Sequence, residues 1–136
     1  MNRLIILVAF LITAVAYVDA LMAGKAHDIP AYSVTIQSLI PQIERDIIVK
    51  GLTETKSAQK IIRVMKATEQ VADGGGINYV LDIQLGETQC LKADNKNGLL
   101  DVSCEPSKGG IQSCTVNVFQ PPEMWSRNEI SMRCKS

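Results

Sequence analysis

Residues 59–85 read QKIIRVMKATEQVADGGGINYVLDIQL, and this stretch decides the fold. In its second half Tyr79, Leu81, Ile83 and Leu85 alternate with Val80, Asp82 and Gln84. Strand side chains point to opposite faces in turn, so a period of two marks a half-buried strand. The first half carries Ile61, Ile62, Val64 and Met65 without Pro or Gly, and residues 59–71 read as a second strand. Between the two stand Ala72, Asp73, Gly74, Gly75 and Gly76. Two strands joined by a short Gly-rich segment make a hairpin.

Upstream the period changes. Ile36, Leu39, Ile40, Ile43, Ile47 and Ile48 recur at spacings of three and four, the mark of an amphipathic helix. Ser33 or Ser38 offers an N-cap, and Gly51 a stop. Pro41 removes one helical hydrogen bond and crowds the preceding turn, so the helix either kinks there or begins near Ser38. Residues 21–32, with Gly24, Asp28 and Pro30, have no period and read as an extended, flexible arm. Downstream, strands are expected over residues 99–104, 115–119 and 129–134, with loops at 92–98 and 106–110. One helix followed by an antiparallel meander of about five strands is an α+β domain.

The N-terminus bears on the compartment. Arg3 precedes an apolar run from Leu4 to Val18, and Val18-Asp19-Ala20 is small where a signal peptidase reads. These are the three parts of a secretory signal, and the run is short of the ~20 residues that span a bilayer. Residues 1–20 are expected to be removed, leaving a single domain over 21–136 in an extracellular setting. Lys plus Arg and Asp plus Glu are 14 each, giving a net charge of zero, and only 4% of residues are aromatic. Neither feature favours nucleic acid or an anionic membrane as partner.

In an oxidising compartment the four cysteines, Cys90, Cys104, Cys114 and Cys134, read as two disulfides. Three pairings are possible, and the count does not choose between them. The spacings lack the close pairs of a zinc site, so no metal or cofactor is expected. With its thiols paired the chain has no cysteine nucleophile, and His27 is its only histidine. Three glycines that lead into a strand lack the helix N-terminus of a phosphate cradle. Enzymatic chemistry is therefore not indicated, and no residue is assigned a catalytic role. Three segments instead look built to project: the N-terminal arm, the glycine hairpin, and Pro121-Pro122-Glu123-Met124-Trp125. Trp125 is either an interface residue, as tryptophan often is, or part of the core.

These residues resemble a known family, the type-2 cystatins. Gln70-Val71-Ala72-Asp73-Gly74 is similar to that family's Q-x-V-x-G motif. The run from Asn78-Tyr79 to Cys90 resembles the segment that follows it. Four cysteines in the C-terminal half, and Leu21-Met22-Ala23-Gly24 as an apolar segment ending in glycine, also fit. The resemblance implies a long helix clasped by a curved antiparallel sheet, with bridges Cys90–Cys104 and Cys114–Cys134. It implies a monomeric secreted inhibitor of papain-like cysteine proteases, of the cathepsin L, cathepsin B or papain type. Its binding wedge would comprise Leu21, Met22 and Gly24 of the arm, Gln70, Val71, Ala72, Asp73 and Gly74 of the hairpin, and Pro121, Pro122 and Trp125.

The chain also departs from the family pattern. Ala72 stands where the motif has Val, a loss of ~1.5 kcal/mol if that position is buried in a complex. Aligning on Asn78-Tyr79 leaves two extra residues among the glycines, and Glu123-Met124 separates Pro122 from Trp125. These changes imply an inhibitor weaker or more selective than its relatives. The alternative is a cystatin-fold protein that has lost inhibition and serves as a venom, defence or other binding component. Some cystatins also inhibit legumain through an Asn after the helix. Residues 51–57 contain none, so that activity is not carried over.

Overall fold

A computed structural model describes residues 24–95, 97–98 and 104–135. These form β1 (His27–Ile29), α1 (Val34–Val49), β2 (Ser57–Val71), β3 (Ile77–Leu91), a 3-10 turn (Lys92–Asn95), β4 (Pro106–Gln120) and β5 (Glu129–Cys134). The five strands make one antiparallel sheet in the order β1-β2-β3-β4-β5, a meander that α1 crosses on one face.

The helix starts at Ser33, whose hydroxyl accepts the Ile36 N–H at 3.4 Å. It runs through Pro41 instead of beginning near Ser38. Gln37, the carbonyl that Pro41 leaves without its usual donor, lies with Pro41 on the exposed side, where water can reach it. Ile36, Leu39, Ile43, Ile47 and Ile48 are buried on the opposite side. They meet Tyr79, Leu81, Ile83 and Leu85 of β3 and Cys114, Val116 and Val118 of β4. The alternation read in the sequence is thus the inward face of the central strand.

β2 reaches the same core by a different pattern. Ile61 faces Leu85 and Arg63 faces Gln84, which leaves Ile62 as an extra residue. Val64 faces Ile83 and Lys66 faces Asp82, which leaves Met65 extra. Each bulge resets the alternation by one, so Ile61, Val64 and Ala67 turn inward at spacings of three. Ile62 and Met65 stay 46% and 51% exposed. Bulges bend the strand that carries them, and this one bends around the helix. β1 covers β2 only at Ala67, Thr68 and Glu69. Along the uncovered edge the Glu44 carboxylate of α1 accepts the Ile61 N–H at 3.4 Å. Burial pushes the Glu44 carboxyl above its usual range, against the pull of that N–H and of Lys60.

Two expectations are corrected. Residues 21–32 are not a free arm throughout, because His27–Ile29 pairs with β2 through its backbone. Residues 106–110 are the start of β4 and not a loop. Proline is tolerated as the first residue of a strand, and the Cys90–Cys104 bridge holds this end against β3. Among the described residues the sheet has five strands, but β1, which was not expected, is one of them. The strand expected over residues 99–104 falls, apart from Cys104, outside the described residues.

The disulfides join Cys90 to Cys104 and Cys114 to Cys134, the pairing that the family resemblance implied. Loops of this size gain on the order of 3 kcal/mol each from restriction of the unfolded chain. Beside the first bridge, Thr88 donates to the Ala58 carbonyl at 2.6 Å, and Gln59, 1% exposed, accepts from Thr53. Lys92 donates to both Thr53 oxygens at 2.8 Å, and partial burial holds its pKa below the usual lysine range. Ile43 has no exposed surface. Ile43→Ala should cost about 2–5 kcal/mol in urea unfolding followed by circular dichroism.

Candidate functional site

Strand β2 ends at Val71 and β3 begins at Ile77, directly opposite. The connection, residues 72–76, is closed by two backbone bonds: Ala72 N–H to the Gly76 carbonyl and Gly75 N–H to the Ala72 carbonyl, both 3.1 Å. Gly74, Gly75 and Gly76 all have positive φ, a region that side chains rarely occupy. At Gly76 a Cβ would stand 2.8 Å from the Gln120 carbonyl oxygen and 2.9 Å from the Phe119 ring. Only glycine lets this loop lie so close to the end of β4. Asp73, Gly74 and Gly75 form an exposed tip.

The arm joins the same end of the sheet. Gly24 donates its N–H to the Val71 carbonyl at 3.1 Å, and its own carbonyl accepts from the Gln70 side-chain amide at 2.8 Å. Gln70, expected to bind a partner, therefore also fastens the arm. Leu21 and Met22 lie outside the described residues.

The third segment is the β4–β5 connection, residues 121–128. A Cβ on Gly75 would lie 3.3 Å from Pro122, so this loop and the hairpin are in near contact. A turn closed by the Ser126 N–H on the Glu123 carbonyl, at 3.1 Å, places Met124 and Trp125 at its tip. They are 98% and 85% exposed. The core alternative for Trp125 is thereby excluded. The far side of the loop is tied to the helix by Asn128 donating to Gln42 at 2.8 Å. Beneath it lies an open groove of about 520 Å³, lined by Arg45, Val49, Pro121 and Met124 among others. The sequence left Trp125 open between interface and core and did not place Met124 among the binding residues. Met124 is equally presented, and its place beside Trp125 in the turn was the available signal.

Among the described residues no group of His, Cys, Asp or Glu could hold a metal ion. Both ends of the His27–Glu69 pair, at 3.0 Å, are partly exposed, and the four cysteines are paired in disulfides. This end of the molecule has three adjacent segments, a small-residue tip and two large exposed apolar side chains. Its exposed apolar tip is suited to contact with a partner.

Residues 53–123, just over half of the chain, match the family model of the cystatin domain. The chain belongs to the cystatin family. Among curated relatives, this cystatin is 28% identical over 83 residues to Cystatin-SA of Homo sapiens, covering 61% of this chain and 57% of that protein. It is 29% identical over 76 residues to Cystatin-C of Bos taurus, covering 56% and 50%. The matches thus span only about half of those relatives' length. Among solved structures, Al-CPI superposes with a TM-score of 0.66 at 27% identity, covering 82% of this chain and 98% of that one. Dimeric human cystatin F gives 0.63 at 21% identity over 83% of this chain and 87% of that one, a likeness of fold. Members of this family are protease inhibitors.

Trp125 contributes little to the fold of this cystatin. Trp125→Ala should leave unfolding stability within ~0.5 kcal/mol. Gly76→Ala should destabilise by about 1–3 kcal/mol, because it loses a left-handed position and meets backbone. Parallel denaturant titrations check both.

Proposed function

We propose that this cystatin is a secreted, reversible inhibitor of papain-like cysteine proteases, acting as a monomer. In this reading the arm from Leu21 to Gly24, the hairpin Gln70 to Gly74, and Pro121, Pro122 and Trp125 enter the enzyme's active-site cleft together. The adjacency of Gly24, the hairpin and the Pro/Trp loop at one end of the sheet is the observation that carries the reading: Gly24 is hydrogen-bonded to Val71, and Gly75 lies beside Pro122. The family membership and the two disulfides support it, as does the secretory character of residues 1–20.

The physics of such a wedge is that of a preorganised surface. Segments already ordered in the free protein lose little entropy on docking, so more of the contact free energy survives as affinity. The two backbone bonds across the hairpin offset part of the freedom its glycines would add. A glycine tip lets backbone approach backbone closely. An indole in the position of Trp125 can bury about 150–250 Å². Nothing in the wedge reacts with the enzyme's cysteine, so the block is steric.

The alternative reading, a cystatin that has lost inhibition and serves as a venom, defence or other binding component, draws on Glu123. Its exposed carboxylate beside the tip must be paired or remain wet when the loop enters a cleft. A titration of papain and of a cathepsin L with the oxidised, processed chain separates the two. Dose-dependent, reversible inhibition, weaker than that of a typical cystatin, is expected. Its absence at micromolar concentration with the fold intact would favour the alternative. Deleting Leu21, Met22 and Ala23 should lower affinity for the protease without changing the unfolding curve.

A further inference from the structure

The outer face of the sheet, opposite the helix, carries charge that the chain's balanced total conceals. The bulges that bring Ile61, Val64 and Ala67 inward at spacings of three turn Lys60, Arg63 and Lys66 outward at the same spacing. Lys66 faces Asp82, Asp82 faces Thr115, and Thr115 faces Arg133. One step along, Arg63 faces Gln84 and Gln84 faces Ser113, whose carbonyl accepts the Lys135 N–H at 2.9 Å. Two rungs therefore cross the face, each with a cation at both ends. Arg63, Lys66, Arg133 and Lys135 are all exposed. Among the described residues none of the four forms an ion pair. Half-buried Lys60 closes one corner, and its charge also reaches Glu44. The one carboxylate within the rungs is Asp82, which accepts the Thr115 hydroxyl at 3.0 Å. Strands lie ~4.8 Å apart, so the β2 and β5 backbones that carry these cations stand about 14 Å from each other across polar side chains.

We propose that this face binds a linear sulfated polysaccharide. Four unpaired cations around a single carboxylate complement a chain of fixed negative charges, and Gln84, Ser113 and Thr115 offer hydrogen bonds between them. Neither rung has an aromatic side chain, so the stacking platform of single-stranded nucleic-acid sites is missing. The choice of an extracellular polyanion rests on the secretion proposed above. Lys66 lies five residues before Val71, about 16 Å along the strand, so a bound polysaccharide leaves the wedge open. The face would hold the protein on a sulfated matrix with its wedge still presented.

Heparin is the probe, titrated calorimetrically into the oxidised, processed protein at two salt concentrations. No protease is present, so a failure of inhibition and a failure of this proposal are read separately. Binding should weaken steeply with salt. The combined change Arg63→Gln, Lys66→Gln and Arg133→Gln should lower affinity at least about ten-fold and reduce the salt slope by roughly one per cation removed. Lys50→Gln removes a cation paired with Asp46 on the helix and should match the parent. Circular dichroism confirms that the variants are folded, and Arg133→Gln alone serves if the combined variant is not. No heparin binding at physiological salt overturns the proposal. So does equal binding by the variant, or equally tight binding of a single-stranded oligonucleotide.

Discussion

The strand that wraps the helix cannot remain regular. α1 presents a ridge of Ile36, Leu39, Ile43 and Ile47, and the sheet must curve to keep contact along its length. β2 supplies the curvature by accommodating Ile62 and Met65 as extra residues opposite an unbroken β3. Everything else in the fold adapts to that bend. Ile61, Val64 and Ala67 reach the core only because of it, and the Ile62 side chain lies over Gly86, where a larger residue would collide with it. Glu44 bonds to the strand edge at the bend, which β1 does not cover.

Past the second bulge the ladder is regular from Lys66 to Val71. That regular segment sets the geometry of the contact end. Its last residues carry Gly24 on one side and pair with Ile77 on the other. The hairpin that closes it runs close to β4 and the loop that follows it, Gly76 beside Phe119 and Gly75 beside Pro122, with no room at Gly76 for a side chain. The three segments are therefore positioned by strand pairing and close packing, with few side-chain hydrogen bonds. Such an arrangement keeps tip residues free to meet a partner while the backbone beneath them stays ordered.

How much of this could be read in the sequence follows from which elements are regular. β3 is central and paired along both edges, so its alternation is clean. The α1 stripe is equally plain, although Pro41 left its start ambiguous until Ser33 was seen to cap it. β2 was recognisable as apolar but not as alternating, because two bulges erase the period. β1 was missed because three residues held through the backbone leave no side-chain pattern. The start of β4 reads as a loop in the sequence because of Pro106, Gly109 and Gly110. Gly109 lies beside Glu87, whose carboxylate is 2.8 Å from where a Cβ would stand and would have to move aside for one. At the candidate site the hairpin and the Pro/Trp loop were legible as projecting segments. Neither their near contact nor the exposure of Trp125 was, since both depend on where β4 ends relative to β3.

The Cys114–Cys134 bridge closes the β4–β5 hairpin into a covalent ring that contains the Met124–Trp125 turn. A peptidase that cut this turn would open the ring without releasing a fragment. Both halves would remain joined through the bridge and paired along the ladder from Cys114 to Phe119. The nicked molecule would keep the parent's composition plus one water and separate into two chains only on reduction. A single cleavage in this loop would therefore leave the β4–β5 pair in one piece.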